Sequence, residues 1–205
     1  MKISALIPAA GLSSRMGRFK PLLDFGGRTL IEASIASCFD GGAETVLAVL
    51  GFRREEAQAA IRKSFSPEKV IVAVNPNFTS TDMFESIKIG LEILPDCDAF
   101  FLLPADMPMV KMETFQMLAR AMEEENAQAA FPKMNGRICH PPLIRMSSLP
   151  YLMEFKGEGG MKNALKALDN RIAVEVDDEG CLIDADKAED YEKLKRLARS
   201  RGIAF

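Results

Sequence analysis

Ile3 to Leu23 reads I-S-A-L-I-P-A-A-G-L-S-S-R-M-G-R-F-K-P-L-L. Residues Ile3–Pro8 are a short apolar run of the kind buried on both faces of a parallel sheet. Ala9, Ala10 and Gly11 follow at once, then Ser13, Ser14, Arg15, Gly17 and Lys20. Small residues let backbone N–H groups approach a phosphate closely, while hydroxyls and cations add donors and charge. The stretch therefore predicts a polyanion-holding loop at the carboxyl end of a first strand. Spacing excludes two other phosphate loops. A Walker A loop has four residues between its glycines and then Lys-Ser or Lys-Thr; here five separate Gly11 from Gly17, and Pro21 follows Lys20. The dinucleotide fingerprint G-x-G-x-x-G is absent as well. An ordinary glycine-rich turn between strand and helix is the bland alternative.

Outward from this loop, strand and helix patterns alternate. Thr29 caps a helix to about Phe39, with Leu30, Ile35 and Phe39 facing inward and Glu32 and Ser34 on the other side. Strands are predicted at 44–50, 69–74 and 98–103, and helices at 53–65 and 83–94, the latter capped by Asp82 with Glu85 three residues on. The run A-F-F-L-L within 98–103 is the most apolar, so that strand is expected at the centre of the sheet. A helix ending at Glu123-Glu124-Glu125 follows. The alternation argues a parallel sheet covered by helices on both faces.

The rhythm then changes. Residues 127–132 and 138–145 are both extended, and Asn135-Gly136 between them is a strong hairpin signal. A short helix after Ser147, a helix at 161–168, a strand at 171–176, a short strand at 181–183 and a helix from about Lys187 to Arg199 complete the expectation. The fold class expected is thus α/β: one Rossmann-like three-layer domain over residues 1–205, mostly parallel, with an antiparallel hairpin insertion.

Composition narrows the function classes. The 205 residues are 48% apolar with a net charge of −3, which gives no basic surface for general nucleic-acid binding. Cys38, Cys97, Cys139 and Cys181 are scattered and the chain has one histidine, so a zinc cluster is not expected. Reduced thiols, an N-terminal run too short for a signal peptide and no membrane-length stretch point to a cytoplasmic protein.

Open α/β sheets gather their active sites beyond the carboxyl ends of the strands. That edge collects the Ala9–Lys20 loop, the Asn75–Asp82 connection and the turn Pro104-Ala105-Asp106-Met107-Pro108. Asp106 has two readings: a helix cap, or a carboxylate holding Mg²⁺ against triphosphate oxygens. Its position after the most buried strand, between two prolines, favours the second. Asp184 and Asp186 stand near the C-terminus, where Asp186 with Glu189 also fits a capping box for the last helix.

The motif A-A-G-L-S-S-R-M-G-x-x-K-P-L-L resembles the signature of the MobA-like nucleotidyltransferases, and most closely their molybdenum cofactor cytidylyltransferase branch, since Ala10 stands where the guanylyl branch usually has glycine. The resemblance implies that Ala9, Ala10, Gly11, Ser13, Ser14, Arg15, Gly17 and Lys20 hold an NTP, with Arg15 and Lys20 neutralising its triphosphate. It implies that Asn75 and Ser86 serve the base and ribose, and that Asp106 binds Mg²⁺ with Asp184 or Asp186. Arg15, Lys20 and Asp106 inherit the catalytic role.

On the acceptor side, His140-Pro141-Pro142-Leu143-Ile144 resembles a G-H-P-V-L segment. Gly157-Glu158-Gly159-Gly160-Met161-Lys162 resembles G-D-x-G-A-R, which assigns His140, Gly159 and Lys162 to the acceptor. Lys162 keeps the charge of the usual Arg but not its bidentate grip. Thr81-Asp82 replaces a glycine before Met83, and Lys187-Ala188 replaces Thr-Pro. The implied reaction transfers CMP from CTP to a phosphorylated acceptor, molybdopterin carrying molybdenum, for delivery to a molybdoenzyme or chaperone client. Two alternatives stay open: a guanylyl, sugar-phosphate or alcohol-phosphate nucleotidyltransferase on the same scaffold, and a nucleotide-binding partner without turnover.

Overall fold

The apolar run at the N-terminus forms β1 (Ile3–Ala9), buried along nearly all its length. The structure is a computed structural model that describes residues 1–13 and 16–205; Ser14 and Arg15, both expected in the triphosphate site, lie outside the described residues. The remaining strands are a small hairpin, β2 (Asp24–Phe25) and β3 (Arg28–Thr29), then β4 (Thr45–Leu50), β5 (Val70–Val74), β6 (Ala99–Leu102), β7 (Ala129–Met134), β8 (Arg137–Ile138), β9 (Leu143–Arg145) and β10 (Arg171–Glu175). The helices are α1 (Leu30–Asp40), α2 (Arg54–Ser64), α3 (Met83–Glu92), α4 (Met112–Glu124), α5 (Leu149–Glu154), α6 (Gly160–Lys166) and α7 (Ala188–Ser200).

The main sheet runs β10-β7-β9-β6-β1-β4-β5, with β8 paired to β7. β1 is parallel to β4 and β6, β4 to β5, and β7 to β10, while β9 is antiparallel to both β6 and β7. The most apolar strand, β6, sits at the middle of that order, as its burial on both faces requires. Alternate residues of β1 feed two cores. Ala5, Ile7 and Ala9 join Ile31 and Ile35 of α1, Ile61 of α2 and Phe115 of α4 on one face. Leu6 joins Phe84 and Ile87 of α3, Leu152 of α5 and Leu165 of α6 on the other. This is a Rossmann-like α/β fold in three layers.

The hairpin forms where expected. Asn135 and Gly136 both have positive φ (51° and 77°) and join the paired residues Met134 and Arg137, the geometry of a two-residue primed turn. The second extended run is interrupted after Ile138 and resumes as β9, which inserts between β7 and β6.

Three expectations are corrected. Residues 181–183 form no strand; Glu179–Cys181 is a single 3₁₀ turn, drawn tight because the Asp178 side chain accepts from Gly180 N–H. Glu32 and Ser34 are buried rather than solvent-facing. Glu32 completes a capping box with Thr29 and also accepts from Ser64, whereas Ser34 reaches across to the Ala105 carbonyl at 3.0 Å. Asp186 does not cap α7: the N-cap is Lys187, without a side-chain cap bond, and Asp186 is drawn to Lys20 instead.

Candidate active site

β1 ends at Ala9 and the chain turns over the sheet edge. Ala9 and Ala10 bury their methyls, whereas Gly11 is exposed, with open space where a Cβ would lie. The described part of the loop is tied through Ser13, whose carbonyl accepts from Met16 N–H at 3.1 Å and whose hydroxyl accepts from Lys20 N–H at 3.2 Å. Gly17 has φ +65°, a conformation that favours glycine. A cleft of about 580 Å³ opens beside the loop, lined by Ser13, Gly17 and Arg18 among others. Arg18 is an exposed cation at this loop that motif reading passed over, although its place two residues before Lys20 was in plain view.

Lys20 turns back to the sheet. Its ammonium donates to Asp106 at 2.9 Å and to Asp186. Burial opposes its charge, but Asp106 and Asp186 outweigh burial and raise its pKa above the ordinary lysine value. Asp184 stands close by: burial first, then the charges of Asp106 and Asp186, push its carboxyl above the usual range. Three expected metal ligands and one expected triphosphate cation are thus brought to one place, from segments more than 160 positions apart.

The turn bearing Asp106 is built from both ends. Ser34 and Ser37, one helical turn apart on α1, donate to the Ala105 and Val110 carbonyls at 3.0 and 3.1 Å. Asp106 is not a cap, since α4 begins at Met112 with Lys111 as N-cap and no side-chain bond from Lys111. The Lys111 N–H is satisfied by Asp178, 67 positions away, at 2.7 Å. Two serines at helical spacing within a buried face were the signal for the α1 support; Asp178 left no local signal.

The carboxylates suit a divalent ion. Three oxygen-donor side chains match Mg²⁺ rather than a soft metal, and a cation between Asp106 and Asp186 is the charge arrangement the structure already shows with the Lys20 ammonium. A divalent ion would also relieve the repulsion that raises the Asp184 carboxyl. Among the described residues no group of His, Cys, Asp or Glu is arranged as a ready-made metal cage.

Beside Asp106 lies a cavity of about 880 Å³. His140, Gly159 and Lys162 all line it, so the structure gathers the three residues expected to meet the acceptor. Its walls are largely apolar, including Phe84, Phe131 and Met161, and Lys166 and Arg171 add cations. Desolvation lowers the His140 pKa, partly offset by its hydrogen bond to the Leu102 backbone and by the charge of Asp106, even though the residue keeps an exposed face.

Asn75 and Ser86 are bonded within the protein, and Asn75 also lines the cleft between Gly51 and Pro76. Both are buried, and Asn75 Nδ2 donates to Ser86 Oγ and Thr81 Oγ1 at 2.9 Å each, while its Oδ1 accepts from Asn77 N–H. They hold the 75–82 connection in shape. Thr81 is part of that tie.

Residues 5–172 match the MobA-like NTP transferase domain. Among curated proteins, the chain is 25% identical over 193 residues to the molybdenum cofactor cytidylyltransferase of Escherichia coli K12, covering 94% of this chain and 95% of that protein. It is 28% identical over 180 residues to a probable molybdenum cofactor guanylyltransferase of Methanosarcina acetivorans, covering 84% and 78%. Among solved structures, a nucleotidyl transferase from Methanothermobacter superposes with a TM-score of 0.80 over 97% of this chain and 99% of the other, at 23% identity. Among the described residues no helix is long and apolar enough to cross a membrane.

Proposed function

Since the chain belongs to the MobA-like NTP transferase family, we propose that it transfers CMP from CTP to a phosphorylated acceptor, molybdopterin carrying molybdenum, and releases pyrophosphate. The observation that carries this reading is the convergence of Lys20, Asp106 and Asp186 beside a cavity lined by His140, Gly159 and Lys162. An acceptor phosphate is already ionised at neutral pH, so no general base is needed. The protein's work is alignment and charge neutralisation at the α-phosphorus.

The loop N–H groups and Ser13 receive the triphosphate, with Lys20 exchanging its carboxylate partners for phosphate oxygens; Arg15 and Ser14 share that task. Asp106 and Asp186, with Asp184 alongside, would hold Mg²⁺, which would supply charge neutralisation at the phosphates. Lys162 meets the acceptor phosphate as a point charge, while the apolar walls receive its uncharged part. His140 lines that cavity, where its ring would donate to or accept from the acceptor.

CTP is favoured over GTP by the narrow end of the sheet. Ala10 accepts from Phe52 N–H at 3.1 Å, and its methyl and carbonyl leave no room for a Cβ at Gly51, where Phe78 also packs. The adjoining cleft between Gly51 and Pro76 is about 330 Å³. Size alone discriminates by about 1–3 kcal/mol, so the preference is graded. The test is pyrophosphate release with each of the four nucleotides, Mg²⁺ and a molybdopterin source. Highest kcat/KM for CTP supports the reading; equal or better use of GTP overturns the base assignment, and no release with any nucleotide overturns the transferase.

A further inference from the structure

Asp178 is 1% exposed and lines none of the clefts described above, yet its carboxylate accepts from five donors. One oxygen accepts from Lys111 N–H at 2.7 Å and Thr114 Oγ1 at 2.9 Å. The other accepts from Gly180 N–H and from Arg201 Nη2, both at 3.0 Å. Cys181 Sγ adds a weak donor at 3.3 Å. Arg201 extends the knot by donating to the Met109 carbonyl. At Gly180 the backbone lies so close to that same carbonyl that an added Cβ would stand 1.9 Å from it, so only glycine allows this approach.

Position in the chain gives these bonds their meaning. Met109–Lys111 begins three residues after Asp106, and Asp178–Cys181 ends three residues before Asp184. The Cys181 carbonyl also accepts from His140 N–H at 3.2 Å. One buried carboxylate therefore joins the Asp106 turn to the acidic tail, next to the histidine of the acceptor cavity. Apolar packing could join the same segments, but it is non-directional, whereas five donors on one carboxylate fix both distance and orientation.

We propose that Asp178, with Arg201, is a positioning residue of the transfer site, setting the spacing between Asp106 and the Asp184–Asp186 segment and hence the grip on a divalent ion. This rests on the transferase reading for its kinetic consequence, but not for its metal-binding one. It predicts that damage at Asp178 reaches the metal site without touching nucleotide or acceptor.

The experiment uses the full chain and the Asp178→Asn variant, with thermal unfolding recorded for both. Mn²⁺ binding is measured by calorimetry both without nucleotide and with a non-hydrolysable CTP analogue, and pyrophosphate release is measured against Mg²⁺ concentration. Loss of such supporting partners typically weakens metal affinity or activity about 10–100-fold. The expected result is a folded variant with Mn²⁺ affinity and kcat each down by about tenfold or more and the CTP KM changed by less than about threefold. A folded variant with a lower Tm but unchanged Mn²⁺ affinity overturns the proposal, because the knot is then only structural. If Asp178→Asn does not fold, Arg201→Lys takes its place with the same two outcomes. If the wild-type chain releases no pyrophosphate, the transferase reading fails, and the Mn²⁺ arm alone decides the role of Asp178.

Discussion

The first loop and the Asp106 turn leave neighbouring strands at the same sheet edge, but they are built in opposite ways. Between Gly11 and Lys20, the described loop residues hold one another by two bonds through Ser13, and no described atom lies within 4 Å of a Cβ built at Gly11 or Gly17. The Asp106 turn is held by side chains of three distant segments: Ser34 and Ser37 of α1, Asp178 before the last 3₁₀ turn, and Arg201 after α7. Under the proposed function the loop would take a triphosphate, whereas the turn that places Asp106 spends its own polar groups on the frame. Electrostatic catalysis needs the second kind of region, since a preorganised group need not reorganise when charge develops.

The contrast breaks most easily at its rigid side. Asp106→Ala is expected to lower transfer by about 10³-fold, the scale of losing a preorganised electrostatic group, while circular dichroism stays native because no helix depends on this residue for its cap. Unfolding in step with the loss of activity would mean that Asp106 serves the fold. On the adaptable side, Lys20→Ala is expected to weaken CTP use by about 10–100-fold, the worth of one or two charge-assisted contacts. Wild-type kinetics in that variant would remove the loop from the site.

A smaller change sharpens the comparison. Ser34→Ala leaves the Ala105 carbonyl without its buried donor, which costs about 1–3 kcal/mol of stability. If the frame matters, kcat falls as well while the KM for CTP holds. A lower Tm with kcat unchanged would show that the turn keeps its shape without that bond.

Much of this contrast could be read from the sequence, but unequally. The loop announced itself because its chemistry is local: small residues, hydroxyls and cations follow a buried strand within a dozen positions. The central place of β6 followed from A-F-F-L-L, and the hairpin from Asn135-Gly136. Apart from the helical spacing of Ser34 and Ser37, the frame of the Asp106 turn was hidden, because the bonds of Asp178 and Arg201 to it span 64 to 92 positions. Glu32 and Ser34 were read outward because polar residues on a helix normally face water; here the capping box and the Ala105 carbonyl satisfy them inside. Asn75 and Ser86 were read as ligand contacts; the structure shows them bonded to each other, with Asn75 also bonded to Thr81 and Asn77.

The smallest expected effect is on pH dependence. Burial works against the charge of Asp178, but its hydrogen bonds from Lys111, Arg201 and Thr114 prevail and hold its pKa below the ordinary carboxylate value. Glu32 is lowered too, with burial again opposing and the Ser64 and Thr29 bonds prevailing. A depressed folded pKa means that the unfolded chain binds the proton first. The stabilisation is therefore complete above the ordinary carboxylate range and is lost as pH falls through it toward the lower folded values. Tm should be flat near neutrality and fall in acid, and the fall should be shallower in Asp178→Asn. An identical acid slope in the variant would show that this carboxylate contributes nothing to the dependence.

The most direct measurement follows the α-phosphorus itself. With α-labelled CTP, Mg²⁺ and molybdopterin carrying molybdenum, the label is predicted to move into an acceptor-linked dinucleotide with one pyrophosphate released per transfer, and to stay in CTP when Asp106 is replaced by Ala. Label that remains in CTP with the wild-type chain, or that leaves only as free CMP, would contradict the account.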